Sequence, residues 1–201
     1  MEKNILVAYA TRSGTTTGVA EVIASKLRAR GAHVDVRRFE KAGKITDYDG
    51  VIAGSPIFQG QCADSMKWFL RLHAKELQRR PFAYFFTCLS LSANPNDDQQ
   101  FPFSLFVDHS FGGTAVPQKN AGATVESYLT CVSTPQIPTP AHVAFFKGAL
   151  DYSRLSFVHG LALRAISLIA RDIKEGDFRN WKAINQWAEE SLVPSFIAAP
   201  S

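Results

Sequence analysis

A short apolar run, Ile5 to Ala10, passes into a cluster of hydroxyls around a glycine, Thr11-Arg12-Ser13-Gly14-Thr15-Thr16, and then into a helical pattern. From Thr17 to Arg30 the apolar residues Val19, Ala20, Ile23, Ala24 and Leu27 recur at helical spacing, while Glu21, Lys26 and Arg28 fall on other faces. Gly31 is placed to stop this helix. Val34 to Phe39 then alternates apolar and polar residues as an outer strand does, and Tyr48 to Gly54 reads as a second short buried strand. Strands joined through a helix pair in parallel, and a parallel sheet must be covered on both faces.

The pattern continues along the chain. Ala63 to Leu77 puts Met66, Phe69, Leu70 and Leu77 on one helical face, and Pro81 separates it from the apolar run Phe82 to Leu89. Val143 to Phe146 reads as another strand, and a closing helix from Asn180 to Leu192 carries Trp181, Ile184, Trp187, Ala188 and Leu192. This alternation predicts an α/β three-layer sandwich around a five-stranded parallel sheet. With 201 residues and 46% hydrophobic content, a single domain over residues 1–201 is expected.

Two segments break the repeat. Ser92 to Thr139 is rich in Pro, Gly and Asn, which predicts an extended excursion from Asn94 to Asn120, then a short helix near Thr124 to Cys131, all before the last strand. Ser156 to Ile173 reads as a helix with too many apolar residues for one narrow stripe, interrupted by Arg164 and Arg171 so that no bilayer span is expected.

The formal charge is only +4, and the pairs Arg28/Arg30, Arg37/Arg38 and Arg79/Arg80 sit on different elements without aromatic interleaving, which argues against nucleic acid as a partner. The five histidines show no metal spacing. Neither do Cys62, Cys88 and Cys131, which leave one thiol unpaired under any disulfide scheme and suit a reducing, cytoplasmic location. The residues after Met1 show no export signal pattern.

In a parallel sheet ligands sit beyond the carboxyl ends of the strands. Three loops fall there. The first, Thr11 to Thr17, offers hydroxyls and backbone N–H groups leading into a helix N-terminus that favours an anion, the composition of a phosphate site. It has neither the GxGxxG nor the GxxxxGK[ST] pattern, so a dinucleotide or a nucleoside triphosphate is not the simple choice. The alternative is a plain helix cap in which Thr15 or Thr16 satisfies the first turn.

The run from Leu6 to Thr16 resembles the flavodoxin signature, a strand followed by Ser/Thr-x-Ser/Thr-Gly-x-Thr. That resemblance implies a flavodoxin-like fold and FMN as cofactor, its phosphate held by Thr11, Arg12, Ser13, Gly14, Thr15 and Thr16. Arg12 takes the variable position, adding a charge-assisted contact or pointing to solvent. The second loop, Gly54-Ser55-Pro56-Ile57-Phe58-Gln59-Gly60, resembles the segment lying against the isoalloxazine ring, with Phe58 as ring neighbour or as a core or lid aromatic. The third, Leu89-Ser90-Leu91-Ser92, resembles the segment that meets the pyrimidine edge.

Phe145-Phe146-Lys147-Gly148-Ala149-Leu150, Tyr152 and Gly176-Asp177-Phe178-Arg179-Asn180-Trp181 resemble the later half of a flavodoxin-domain family that includes the menaquinone-dependent protoporphyrinogen oxidases. From the residues themselves, Asp177 is expected to cap the final helix, with Phe178 and Trp181 packing it down. The 94–120 excursion has no counterpart in that pattern.

A flavin brings its own redox chemistry, so no catalytic side chain is required. The resemblance implies an FMN-dependent oxidoreductase passing hydrogen from a tetrapyrrole or another organic donor to a quinone. Two other readings stay open: an electron-carrier flavodoxin, a family typically more acidic than this chain, and a non-catalytic module with the same fold. Arg154, Arg164, Arg171 and Lys174 around the apolar helix would suit contact with an anionic membrane surface, and the same helix or the excursion would be the place for a homodimer contact.

Overall fold

The computed structural model describes residues 2–91, 100–113, 124–150 and 175–197. Strand β1 (Asn4–Tyr9) leads to helix α1 (Thr15–Ala29), β2 (His33–Arg38) and β3 (Gly50–Phe58). A tight hairpin joins β3 to β4 (Gln61–Cys62), followed by α2 (Asp64–Leu72), α3 (Ala74–Leu77) and β5 (Phe82–Cys88). Then come β6 (Ser104–Val107), α4 (Val125–Leu129), β7 (His142–Lys147) and the antiparallel pair β8 (Ala149–Leu150) and β9 (Gly176–Asp177). Helix α5 (Trp181–Trp187) continues through a π-helical turn, Ala188–Leu192, into α6 (Val193–Phe196). Pro194 has no N–H to return to the preceding turn, and the widened turn sits directly before it.

The sheet order is β2-β1-β3-β5-β7-β6, with parallel pairing along that path. The five strands expected from the spacing are β2, β1, β3, β5 and β7. Strand β6 adds an edge beyond them and lies inside the segment read from sequence as an extended excursion. Ala63 to Leu77, read as one helix, is two, divided at His73. The predicted helix over 156–173 falls outside the described residues. Among the described residues no helix is long and apolar enough to cross a membrane.

Alternation along the central strands sorts side chains into two cores. Leu6, Ala8, Val51, Ala53, Tyr84, Phe86, Val143 and Phe145 face α2, α3 and α4. Ile5, Val7, Ile52, Ala83, Phe85, Ala144 and Phe146 face α1 and α5, where Trp187 meets Phe146 edge-on at 5.7 Å. Helix α1 seats Val19, Ala20, Ile23, Ala24 and Leu27 in this second core, as its periodicity requires.

On the edge strand β2, Asp35 accepts hydrogen bonds from the Tyr48 hydroxyl (2.5 Å) and Arg37 (2.6 Å). The Tyr48 bond, ahead of Arg37, holds the Asp35 carboxyl below its ordinary range. Burial and the same carboxylate push the Tyr48 phenol up to about 12. A depressed carboxylate stabilises the fold above the ordinary aspartate range and loses that contribution as pH falls through its lowered value. Tyr48→Phe will therefore move the Asp35 titration upward and bring the acid-side loss of stability to higher pH, read by carboxyl NMR titration and acid unfolding.

Strands β3 and β5 are brought together at Gly54, paired with Phe85. A Cβ on Gly54 would lie 2.0 Å from the Phe85 ring. Gly54→Ala will destabilise the fold by about 1–3 kcal/mol through overpacking, and adding Phe85→Leu will recover part of the loss. Urea midpoints of the single and double variants measure both effects.

Candidate functional site

The site begins where β1 runs out. The Ala10 N–H reaches the Gly54 carbonyl at 2.9 Å, extending the β1–β3 pairing by one residue, and the chain then turns through Thr11 to Gly14 into α1. The turn is held from within by Gly14 N–H on Thr11 Oγ1 (2.9 Å) and from outside by Arg38 on the Thr11 carbonyl (2.9 Å). Gly14 is the N-cap residue with φ 86, a conformation that glycine alone adopts without strain. No side chain caps the helix. The Thr15 and Thr16 hydroxyls bond Ser13, Ala149 and Thr87 rather than the first turn, and the leading N–H groups of α1 have no partner within the helix, at the positive end of its dipole.

The hydroxyls are divided between two jobs. Ser13 Oγ and Thr15 Oγ1 lie 3.1 Å apart at the mouth of the loop, and Thr15 also reaches the Ala149 carbonyl at 3.4 Å. Thr16 points into the protein and bonds Thr87 Oγ1 of β5 at 3.1 Å with both groups buried. A cavity of about 400 Å³ opens here, lined by Gly14, Thr15, Ala149, Leu150, Gly176 and Arg179 among others. Arg179 closes one side: it bonds the Thr15 carbonyl at 3.3 Å, pairs with both oxygens of Asp177 (2.8 and 2.5 Å) and stacks over Trp181. That pairing holds the Asp177 carboxyl below its usual range.

The second loop leaves the end of β3. Pro56, Ile57 and Phe58 close the strand, and Gln59 and Gly60 turn the hairpin, both with positive φ (51 and 77). Ser55 is buried and fastens the hairpin to α2, accepting the Ala63 N–H at 2.9 Å. The Arg12 guanidinium lies 4.2 Å above the Phe58 ring, joining the first two loops by a cation–π contact. The exposed Arg12 side chain thus lies over an aromatic ring at the mouth of the site. A second cavity of about 340 Å³ lies beneath, bordered by Arg12, Pro56, Phe58, Gln59, Cys62 and Lys67 among others.

The third loop follows β5. Leu89 and Ser90 are half-buried, Leu91 is buried, and the Ser90 carbonyl accepts the Tyr128 hydroxyl of α4 at 2.9 Å. Ser92 lies outside the described residues. The loops begin at the carboxyl ends of β1, β3 and β5, adjacent strands on one edge of the sheet.

Several residues at this edge were missed in the sequence. Thr87, which clamps Thr16, is the one aliphatic hydroxyl in the run Phe-Ala-Tyr-Phe-Phe-Thr-Cys, and a polar residue near the end of such a strand was the available signal. Asp108 follows β6; it is fully buried and its Oδ1 accepts from Asn180 (2.9 Å) and the Ser110 N–H (3.0 Å). Lys147 ends β7, buried, 5.9 Å from the Phe111 ring. Asn180, not Asp177, caps α5, its side chain accepting the Ala183 N–H at 3.2 Å. Phe178 and Trp181 remain more than a third exposed rather than packing the helix down.

This chain belongs to the flavodoxin-domain family, whose model matches residues 6–177. Over 82 residues it is 29% identical to the protoporphyrinogen IX dehydrogenase [quinone] of Escherichia coli K12, a match covering 40% of this chain and 45% of that protein. The aligned part thus spans less than half the length of the curated relatives it matches. Among solved structures, the two-electron reduced flavodoxin of Megasphaera elsdenii overlays 93% of this chain and 99% of its own with a TM-score of 0.50 at 14% identity. A Fusobacterium nucleatum flavodoxin mutant bound to flavin mononucleotide overlays 44% of this chain and 53% of its own, with a TM-score of 0.39 at 18% identity.

Removing one partner of the buried Thr16–Thr87 bond leaves the other hydroxyl unsatisfied. Thr16→Val will cost about 1–3 kcal/mol, and Thr16→Val with Thr87→Val will cost less than the sum of the single changes. A double-mutant cycle in urea measures the coupling.

Proposed function

We propose that this chain is an FMN-dependent oxidoreductase of the protoporphyrinogen-oxidase type, passing hydrogen from an organic donor to a quinone-type acceptor, and built as one flavodoxin-like domain. The observation that carries the reading is the uncapped N-terminus of α1, framed by Thr11, Ser13 and Thr15 at the carboxyl edge of a parallel sheet. Free backbone N–H groups, a helix dipole and neutral hydroxyls form a donor set that suits a phosphate monoester, and FMN carries one. The family supports the same cofactor.

In this reading Thr11, Arg12, Ser13, Gly14, Thr15 and Thr16 hold the phosphate, with Thr16 acting through its brace to Thr87. Pro56, Ile57, Phe58, Gln59 and Gly60 shape the wall beside the ring, and Leu89, Ser90, Leu91 and Ser92 meet its polar edge. FMN, when bound, supplies the two-electron redox chemistry. The protein binds it, orients it and limits the approach of water. Arg12 must move off Phe58 for a ring to lie on the face it covers, so the two loops rearrange together on binding. The donor and acceptor classes, a tetrapyrrole and a quinone, are supported by the partial likeness to the E. coli enzyme. A cytoplasmic location suits this chemistry, and contact with the inner membrane surface would bring the enzyme to a membrane-borne quinone.

The carrier reading shares the cofactor and differs in what reduces it. Titration with FMN, followed by flavin fluorescence quenching, will show tight binding; Ser13→Ala and Thr15→Ala will each weaken it by about 10- to 100-fold, the value of a hydrogen bond to a charged group. The bound flavin will bleach with protoporphyrinogen and recolour with menaquinone. Binding without either change would favour an electron carrier, and no binding would overturn the reading.

A further inference from the structure

The donors that the first loop offers, Ser13, Thr15 and the backbone N–H groups after Gly14, are neutral. Neutral donors serve a terminal alcohol as well as a phosphate ester, and separate the two less sharply than a cation does. Three arginines stand near this loop. Arg38 is exposed and bonds the Thr11 carbonyl, while Arg12 lies over Phe58 and borders the other cavity. Among the described residues, Arg179 is the one cation lining the cavity that Gly14 and Thr15 share.

Four neighbours set its position. Asp177 takes Nε and Nη2 through its two oxygens, the Trp181 ring lies against the guanidinium at 4.3 Å, and Nη1 donates to the Thr15 carbonyl at 3.3 Å. The fourth is Gly18, where a Cβ would fall 2.5 Å from Nη1. Gly18 has no positive φ to require a glycine inside α1, and the guanidinium is the neighbour it makes room for. Pairing with Asp177 cancels most of the charge at a distance, but close by the two ends differ. The Arg179 side chain is 17% exposed and that of Asp177 47%, so water screens the carboxylate more than the guanidinium beside Thr15. Glu175 and Asp177 also line the cavity, and without the arginine both would repel an entering dianion.

We propose that Arg179 is a specificity residue of the cofactor site, selecting a flavin that ends in a phosphate monoester over riboflavin, which ends in a hydroxyl. This rests on the FMN reading and adds to it the charge on which the choice turns. The neutral loop seats either tail, and Arg179 distinguishes them. Three of its five N–H groups are committed to Asp177 and Thr15, which leaves one on each terminal nitrogen for an anionic oxygen.

The test measures dissociation constants of FMN and of riboflavin for the full-length protein by flavin fluorescence quenching and compares their ratio between variants. Arg179→Gln will weaken FMN binding by about 10-fold or more and leave riboflavin within about two-fold, as expected when a charged partner of an anion is removed. Gly18→Ala keeps every charge and favours the helix, yet sets a methyl group where Nη1 lies. It will lower the FMN preference in the same direction while the urea midpoint holds or rises. Asp177→Asn keeps a hydrogen-bond acceptor and removes the opposing charge, so FMN will bind more tightly and riboflavin as before. Added salt will shrink the FMN preference of the parent protein more than that of Arg179→Gln. A wall acting by shape alone would shift both ligands together. Equal losses for FMN and riboflavin in Arg179→Gln would overturn the proposal and leave the FMN reading standing, whereas failure of the parent protein to bind either flavin would overturn both.

Discussion

A parallel sheet cannot leave a face in water without exposing the apolar side chains that its alternation places there, and the rest of this molecule follows from that requirement. The central strands β1, β3, β5 and β7 bury residues of both parities, one set against α2, α3 and α4 and the other against α1 and α5. Each crossover must return the chain to the same end of the sheet before the next strand begins. The polar turns that follow the strands are therefore gathered along one edge, whatever their individual sequences.

That edge is not a set of independent loops. The turn after β1 is pinned to β5 through Thr16 and Thr87, to the chain after β7 through Thr15 and Ala149, to β2 through Arg38, and to the hairpin after β3 through Arg12 and Phe58. Two of these four contacts use neutral hydroxyls and two use arginines. A loop held this way has its shape set by contacts within the protein, the Arg12–Phe58 contact being the one that a ring placed on Phe58 would displace. Arg179, already paired with Asp177, adds a rigid wall to the cavity while its charge is largely offset within the pair.

Legibility in the sequence depended on how local the cause was. The β1–α1 turn could be read because strand, hydroxyls, glycine and helical stripe are contiguous. The division of Ala63 to Leu77 at His73 could not, since the apolar spacing runs across the break. Strand β6 escaped notice because its Leu105-Phe106-Val107 is short and sits in a stretch rich in turn formers; its pairing with β7 is a long-range fact. Asp177 and Asn180 are both acceptable caps by type, and the choice was made by Arg179, which claims the aspartate.

The small antiparallel pair β8 and β9 joins Ala149 to Asp177 and Leu150 to Gly176 directly beyond the last central strand. Leu150 and Gly176 are thus held side by side, and the Phe178 N–H on the Gly148 carbonyl at 3.1 Å fastens the pair to the end of β7. The register of this clasp fixes where Arg179 stands, two residues beyond Asp177, with its guanidinium on the Thr15 carbonyl. In engineering terms, the clasp is a tie bar: a one-residue slip in its pairing would shift the Arg179 wall of the cavity while the register of the main sheet stays as it is.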